Sequence, residues 1–289
     1  MKYGIYYAYW EKEWGGEFIP YVKKCSRLGF DILEVATGAF WREDDAFFLE
    51  LGQAAKDCGM RLTGGYGPRP EHNLASKDAA AVEKAFAFYA DMFRKMELAG
   101  IDRLGGALYS YWPVDFKAPI DKPGDTARSI RRMQRLADMA ADYGITLNME
   151  SLNRFEGYMI NECYECVGYV KAVDKPNVKV MLDTFHMNIE EDSIPDAIRL
   201  AGSLLGHFHV GEANRRPPRP GTRMDWVEIG KALEQIHYQG DVVMEPFVTM
   251  GGQVGKDISI WRDLSHGATE AELDRDAAQS VAYLRALWG

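Results

Sequence analysis

The chain has 289 residues with 47% hydrophobic residues, 28 glycines and 12 prolines, which is the composition of a globular protein and argues against disorder. A formal net charge of -9 and the lack of a long Lys/Arg run exclude nucleic acid as an expected partner and favour a small neutral substrate. The N-terminus has no apolar stretch of signal-peptide length and no segment approaches membrane-spanning length, so we expect a cytoplasmic protein with no membrane contact.

Short β-rich runs alternate with helical runs along the whole chain. Eight strands are predicted, at residues 3–9, 32–37, 61–67, 103–109, 146–152, 178–185, 204–210 and 241–247. Between them, apolar residues recur at i, i+3, i+4 and i+7, which indicates amphipathic helices, for example at residues 18–29, 46–59, 79–100 and 129–144. Each of these four segments finishes in a glycine suited to a left-handed helix C-cap.

Strict alternation of strands and helices predicts parallel strand pairing. Eight such units favour a closed (β/α)8 TIM barrel, with residues 1–289 as a single domain because no Pro/Ser/Gly-rich linker divides the chain. The alternative is an open doubly wound sheet, but the first strand is not followed by the glycine fingerprint that holds a dinucleotide. The basic, Pro-rich segment 214–226 is predicted to be a long loop after the seventh strand.

The four cysteines are too few to form a disulfide framework. Cys25 and Cys58 fall inside helical patterns, whereas Cys163 and Cys166 form a single C-x-x-C pair. Half of a zinc site or a redox pair is one interpretation, but no second pair follows, and spacing of three on a helix places both thiols on one face. We therefore expect buried thiols.

Acids and one histidine stand where four of the predicted strands end. They are Glu150, Asp183, His209 and Glu245, separated by 33, 26 and 36 residues, which is about one strand–helix unit each. In a barrel of this type the carboxyl ends of the strands converge on one mouth, where catalytic residues lie. These four side chains are therefore predicted to meet.

Each of the three acids directly follows apolar residues, so each is expected at the edge of the core. A single acid there is usually a capped or ion-paired polar residue, but this explanation is much weaker for the set, because an unpaired carboxylate is costly there and one bound divalent cation would neutralise all three. An oxygen-rich set with one imidazole matches Mn²⁺, Mg²⁺ or Co²⁺ better than it matches a thiolate zinc centre.

Further polar residues follow the same strand ends and are expected at the rim of a polyol pocket: Arg154, Glu156, His186, Glu212 and Arg215. For Arg215, within the RRPPRP run, a solvated loop charge is an equal alternative. His207 is expected to point to the opposite face of its strand from His209, and His72, His237 and His266 are expected at the surface.

Aromatic residues concentrate at the ends of the first, third and fourth strands: Tyr6, Trp14, Tyr66, Tyr109 and Trp112. Such rings most often belong to the core or to an oligomer contact. At a barrel mouth they would also supply an apolar wall for the carbon face of a sugar.

Six stretches together resemble the ketose 3-epimerases, the family of D-psicose (D-allulose) and D-tagatose 3-epimerases within the xylose isomerase-like barrels. They are GIYYAYW at the start, GGALYSYWP at 105–113, NRFEGY at 153–158, VMLDTFHMNIEEDSI at 180–194, GHFHVGEANR at 206–215 and VVMEPFVTMGG with WRDLS beyond it. The similarity covers essentially the whole chain.

The resemblance implies a Mn²⁺ (or Co²⁺) site at Glu150, Asp183, His209 and Glu245, with Glu150 and Glu245 as the catalytic acids. It implies substrate contacts at Tyr6, Ala107, Glu156, His186 and Arg215, beside the aromatic candidates Trp14, Tyr66 and Trp112. It also implies a homodimer or homotetramer. The chain departs from the family pattern at Tyr66 and in the loop 37–47, which leaves the preferred sugar open.

The chemistry that the resemblance implies is epimerisation of a free ketohexose at C3, with two glutamates exchanging protons through an enediolate. An aldose–ketose isomerase on the same scaffold is the nearest alternative. A non-catalytic sugar-binding protein is a second alternative. A metal-dependent phosphodiesterase or endonuclease is a third, although it would need more histidine ligands and a basic groove.

Overall fold

A computed structural model describes residues 1–289 and contains eight parallel strands that close into a barrel, which confirms the predicted fold. Each strand pairs with its neighbours in chain order, and the last strand pairs with the first. The strands are β1 Lys2–Tyr6, β2 Ile32–Ala36, β3 Arg61–Gly65, β4 Arg103–Gly106, β5 Thr146–Glu150, β6 Val178–Asp183, β7 Leu205–Val210 and β8 Asp241–Met244.

All eight strands were predicted, but seven of them end one to three residues earlier than their sequence pattern indicates. The chain leaves the sheet as soon as it reaches the mouth, in a 3-10 turn at Tyr7–Tyr9 after β1 and another at Thr37–Arg42 after β2. After β6 a helix begins at once, at Thr184. The residues of the turn after β1 and the first residue after β2 are buried like the strands that precede them, so strand periodicity alone does not show where pairing stops.

Ten helices surround or cap the barrel. They are α1 Ile19–Leu28, α2 Asp45–Asp57, α3 Ala79–Ala99, α4 Lys122–Ala141, α5 Cys163–Val173, α6 Thr184–Glu190, α7 Ile194–Ala201, α8 Trp226–Gln235, α9 Gly252–Asp257 and α10 Glu270–Trp288. None of them is both long enough and apolar enough to cross a membrane.

The four predicted helices are present, with one displaced start. Helix α4 begins seven residues before the predicted position because the Asp121 side chain accepts a hydrogen bond from Gly124 N and Pro123 occupies the first turn. Gly29 and Gly100 are the left-handed C-caps of α1 and α3, as predicted. The other two terminal glycines also have positive φ angles but lie beyond the cap residue.

Cys163 and Cys166 are buried free thiols on α5, as expected from their spacing. Each sulfur lies 3.1 Å from a backbone carbonyl oxygen, that of Ala197 and that of Met149 respectively. Burial raises the pKa of both thiols well above its ordinary value, so neither is poised as a thiolate.

The amino-terminal end of the barrel is closed by ion pairs around one buried carboxylate. Asp241, at the start of β8, lies 2.9 Å from Arg61 Nη1 and 3.3 Å from Arg103 Nε, on β3 and β4. These contacts join β8 to β3 and β4, which lie across the barrel from it. This end is therefore assigned to stability, and the open carboxyl end is left for binding.

Glycines in β3 and β4 allow neighbouring backbone to approach closely beneath the mouth. Gly106 has a φ of +125°, and a Cβ atom built on it would lie 2.3 Å from the backbone oxygen of Tyr66. That oxygen belongs to the main chain and cannot move aside without shifting β3. Only glycine therefore fits this position.

We predict that Gly106→Ala lowers the free energy of unfolding by at least about 1–3 kcal/mol, because the added methyl group meets backbone at a positive φ angle. Gly168→Ala is the matched control: it lies within α5 with open space around it, so alanine should raise stability by about 0.5–1 kcal/mol. Denaturant unfolding followed by circular dichroism measures both, and equal stability of Gly106→Ala and the wild type would refute the argument.

Candidate functional site

The four residues predicted to converge do meet at the mouth of the barrel. Glu150 ends β5, Asp183 ends β6, His209 lies in β7, and Glu245 directly follows β8. One potential ligand atom from each residue lies within 4.8 Å of those from the other three. The regular spacing of acids in the sequence therefore corresponds to one cluster in space.

The cluster has the ligand types of a cation site, and its carboxylates lie close enough together to repel one another. Burial, and then the nearby carboxylates of Glu245 and Asp183, raise the pKa of Glu150 well above its ordinary value. His209 Nδ1 is buried without a hydrogen-bond partner and lies 3.6 Å from Glu245 Oε1. Three carboxylates and an unpartnered imidazole nitrogen fit a divalent cation with a preference for oxygen ligands.

Arg215 supplies a positive charge to the same cluster. Its guanidinium is buried, with Nη1 2.9 Å from Asp183 Oδ2 and 2.7 Å from Glu245 Oε2. Burial opposes its charge, but Glu245 and Asp183 outweigh that effect and raise the pKa of Arg215 above its ordinary value. The alternative that Arg215 is a solvated loop charge is therefore wrong.

His186, on α6, presents a neutral imidazole to the cluster. Burial and the charge of Arg215 lower the pKa of His186 to about 3. The backbone N–H of Asn153 donates to Nδ1 over 3.2 Å, so the ring proton is on Nε2, which lies 3.7 Å from Glu150 Oε1. The protonated Nε2 of His186 is thus directed at the carboxylate cluster.

Asn153 was not singled out by the sequence pattern. Its side-chain amide lies 2.8 Å from His186 Nδ1 and donates to Glu156 Oε1 over 3.0 Å. It thereby fixes the positions of two predicted substrate contacts at once. Only its place in the NRFEGY stretch, directly after a strand end, distinguished it in the sequence.

A cavity of about 420 Å³ opens above the cluster, within the range of small-molecule sites. All eight residues predicted to contact substrate line it: Tyr6, Trp14, Tyr66, Ala107, Trp112, Glu156, His186 and Arg215. Glu150, His209 and Glu245 also line it. The cavity therefore has a charged floor and a largely apolar wall.

The wall is made of aromatic rings that pack against one another in edge-on or tilted contacts. Trp14 lies with ring centroids 6.4 Å from Tyr6, 6.1 Å from Trp112 and 6.2 Å from Phe247. Phe247 follows β8 and was not predicted, although it stands two residues after Glu245 in the same motif. Such a surface suits the carbon face of a sugar and excludes water.

One side of the cavity is closed by a contact between the two ends of the chain. Trp14 Nε1 donates to Asp257 Oδ2 over 2.8 Å, and Val254 N donates to Lys12 O over 2.9 Å. Helix α9, which carries Asp257, is thereby held against the loop that follows β1. Trp14 and Asp257 both line the cavity.

Three residues expected at the rim or wall do not line the cavity. The Tyr109 hydroxyl is buried and donates to the backbone oxygen of Glu150. Arg154 is mostly exposed and forms an ion pair with Glu190. These side chains follow strand ends as predicted, but the loops direct them away from the mouth.

Glu212 is the third of these residues. Its carboxylate is buried and accepts hydrogen bonds from Arg219 N, Thr222 Oγ1 and Trp226 Nε1. The predicted loop 214–226 is confirmed except at its bounds, since the irregular segment runs from 211 to 225 and α8 begins at Trp226. The hydrogen bonds of Glu212 hold this loop together. The Glu212 side chain therefore holds the loop that carries Arg215 but does not reach the cavity.

The expectation for His207 is wrong, because residues two apart in a strand share a face. His207 and His209 both point into the barrel, with ring centroids 5.1 Å apart. The carboxylate of Glu34, on β2, lies between the two rings. Burial raises the pKa of Glu34, but the two imidazoles outweigh that effect and hold the pKa below its ordinary value. Glu34 is the one acid in the otherwise apolar strand ILEVA, and this position in the sequence could have identified it as a buried polar residue.

His72 is also not a surface residue. It is half-buried, stacks on Phe88 with ring centroids 3.7 Å apart, and bonds through Nδ1 to the Tyr66 hydroxyl. The Tyr66 ring packs so closely on Gly38 that a Cβ there would lie 2.7 Å from it. His237 and His266 are exposed, as expected.

Comparison with known proteins agrees with this geometry. The family model for xylose isomerase-like TIM barrels matches residues 22–285. The D-psicose 3-epimerase of Agrobacterium fabrum is 52% identical over 289 residues, which is all of both chains.

Two crystal structures are similar over the whole chain. One is D-psicose 3-epimerase in the presence of D-fructose, with a TM-score of 0.98, 52% identity and full coverage of both chains. The other is D-psicose 3-epimerase with D-tagatose from Clostridium cellulolyticum, with a TM-score of 0.98, 51% identity, and coverage of 100% of this chain and 99% of the other. The chain belongs to the xylose isomerase-like TIM barrel family and, within it, to the D-psicose 3-epimerase group of ketose 3-epimerases.

Proposed function

We propose that this protein is a divalent-metal-dependent isomerase that epimerises free ketohexoses at C3, interconverting D-fructose and D-psicose. The observation that carries the proposal is the placement of Glu150 and Glu245, from strands five and eight, on the floor of one sugar-sized cavity beside a cation-binding set. The relatives crystallised with D-fructose and D-tagatose support ketohexoses as the substrate class. D-Tagatose with D-sorbose is a second candidate pair.

Inversion at C3 needs one group to remove the proton and another to return a proton from the opposite face. Glu150 and Glu245 lie on strands that are three positions apart around the barrel, so their carboxylates approach the cavity from different sides. One of them would remove the C3 proton, leaving an enediolate, and the other would deliver a proton to the other face. Both are therefore proposed as catalytic residues.

Glu150, Asp183, His209 and Glu245 would hold the metal, with Mn²⁺ as the expected ion and Co²⁺ or Mg²⁺ as alternatives. When bound, such an ion polarises the ketone as a Lewis acid and so makes the neighbouring proton more acidic. The predominance of carboxylate ligands supports these ions over a thiolate-type zinc site.

The remaining polar residues would hold the substrate oxygens. His186 donates from Nε2, Arg215 donates from its guanidinium, and Glu156 accepts, and all three line the cavity. Neutral His186 suits a hydroxyl or carbonyl partner because it donates without adding a charge. The rings of Tyr6, Trp14 and Trp112 would cover the carbon skeleton, with Tyr66 and Ala107 nearby.

A homodimer or homotetramer is proposed as the assembly. A groove of about 770 Å³ adjoins the cavity and is lined by the exposed apolar side chains of Phe116, Phe155 and Trp261. Phe155 and Trp261 are each more than two-thirds exposed, which is unusual for large apolar residues of a monomer. A second chain packed on this face would remove them from water.

We predict from this groove that light scattering at micromolar concentration reports a mass of at least two chains of 32.6 kDa. The double variant Phe155→Ser and Trp261→Ser should reduce the mass toward one chain, since it removes apolar area from the proposed contact. Tyr164→Ser is the control, because Tyr164 is equally exposed but lies outside the groove. A wild-type monomer would contradict the proposal.

Chelation should abolish activity and lower the melting temperature. An ion bound only to the native state at about 100 times its Kd stabilises by about 2.7 kcal/mol, and its removal leaves the buried carboxylates of Glu150 and Asp183 and the half-buried one of Glu245 to repel one another. Differential scanning calorimetry should therefore show a fall of several degrees that added Mn²⁺ reverses. Asp183→Asn should show a smaller response to Mn²⁺, and full activity of verified metal-free protein would disprove the metal requirement.

The epimerase is distinguished from an aldose–ketose isomerase by the origin of the hydrogen on the product. In deuterated water, a proton exchanged through Glu150 and Glu245 should place deuterium at C3 of the product ketose, as seen by NMR. Replacing either glutamate by glutamine should lower kcat by at least about 100-fold, the usual contribution of one acid–base group. Glu228→Gln, at an exposed ion pair with Lys231, should leave kcat unchanged.

An aldose product with no deuterium at C3 would mean that the hydrogen was transferred between C1 and C2 and not at C3. That result would favour the isomerase alternative over the epimerase. Saturable sugar binding without any turnover would instead favour a sugar-binding protein.

A further inference from the structure

Glu34 is a buried carboxylate that the proposed mechanism does not use. It lies in the middle of β2, and its side chain crosses the barrel interior to reach β7, 175 residues later in the chain. Oε1 lies 2.6 Å from His209 Nε2. Oε2 accepts a hydrogen bond from Thr63 Oγ1 over 2.7 Å and lies 2.9 Å from His207 Nε2.

The two ring nitrogens of His209 have different surroundings. Nε2 faces Glu34, whereas Nδ1 has no hydrogen-bond partner and faces Glu245 and the carboxylate cluster. An ionised carboxylate only accepts hydrogen bonds, so the proton between Glu34 and His209 belongs to Nε2. The lone pair of a neutral His209 is then on Nδ1, aimed at the place where the cation would lie.

We infer that Glu34 is a positioning residue for the metal site, which acts through His209. Its carboxylate holds the His209 ring in one orientation and one tautomer and makes Nδ1 a stronger donor to the metal. Carboxylates that accept from the second nitrogen of a ligating histidine have this effect in other metal sites. The inference rests on the proposed function, because it requires a cation at the cluster of Glu150, Asp183, His209 and Glu245.

The surroundings of Glu34 are arranged to keep its carboxylate in place. Thr63 on β3 holds Oε2 through a hydrogen bond, and His207 Nε2 on β7 lies 2.9 Å from the same oxygen, which leaves Oε1 directed at His209. All of these groups are buried, so rotation of the carboxylate would break its hydrogen bonds without new ones to solvent. A side chain fixed at both oxygens transmits its orientation to the ring that it contacts.

Glu34, His207 and His209 also lie close enough together to be considered as metal ligands in their own right. In that case the chain would hold two ions, and Glu34 would bind one of them directly. The direct contact between Glu34 and His209 at 2.6 Å is that of a charge-assisted hydrogen bond, which favours the positioning role. The number of ions bound per chain distinguishes the two arrangements.

Isothermal titration calorimetry of chelator-stripped protein with Mn²⁺ tests the inference without measuring turnover. Glu34→Leu, which has no acceptor, should weaken Mn²⁺ binding by about 10- to 100-fold, and Glu34→Gln should weaken it less because an amide oxygen still accepts. Thr63→Val is the matched comparison: it removes the bond to Oε2 but leaves the contact between Oε1 and His209, so it should weaken Mn²⁺ binding less than Glu34→Leu does. Circular dichroism establishes that each variant is folded.

The tautomer of His209 provides a second measurement that needs no variant at Glu34. In the Mg²⁺ complex of the wild type, ¹⁵N NMR should show His209 with its proton on Nε2, and assignment follows from the signal lost in His209→Gln. A proton on Nδ1 would overturn the inference, whether or not the Glu34 variants fold.

The outcomes separate this inference from the function on which it rests. Wild-type protein that binds no Mn²⁺ refutes the proposed metal site itself. If the wild type binds one ion per chain and folded Glu34→Leu binds it with unchanged affinity, the positioning role alone is refuted. The same conclusion follows if the wild type binds two ions and Glu34→Leu loses one of them. One ion per chain with the predicted order of affinities supports the role.

Discussion

Buried negative charge at one end of the barrel is the constraint on which the rest of the site depends. Glu150, Asp183 and Glu245 are brought together at the mouth, and Glu34 lies against the same His209 from below; all but the half-buried Glu245 are buried. Without compensation such a group of carboxylates would repel itself and favour either protonation or unfolding. The side chains that balance it, Arg215 above all, are therefore as much part of the fold as they are of the chemistry.

The barrel distributes this charge unevenly around its circumference. Strands β5 to β8 and the residues after them supply the acids and the imidazoles, whereas β1, β3 and β4 supply Tyr6, Tyr66 and small residues such as Gly106 and Ala107. One half of the mouth is therefore mostly charged, and the other half is mostly apolar. Glu34 on β2 is the exception, because its carboxylate reaches across the interior to the charged half.

Much of this arrangement was predictable because it follows from periodicity. Strand ends converge in a barrel, so the spacing of Glu150, Asp183, His209 and Glu245 was sufficient to place them together. Residues that act across the barrel or within a loop have no such regularity. Glu34 meets His209 only through closure of the sheet, and Tyr109 and Arg154 turn away because loop geometry, which spacing does not describe, sets their direction.

The contact that joins α9 to the loop after β1 has a consequence for how the protein is made. Trp14 and Asp257 are 243 residues apart, and the pairing of β1 with β8 has a similar span. Synthesis proceeds from the N-terminus, so β1 leaves the ribosome long before its partner exists, and contacts of such high sequence separation form slowly. The cavity is completed only when nearly the whole chain has been translated. Until then the indole of Trp14 lacks the carboxylate that it contacts in the folded protein.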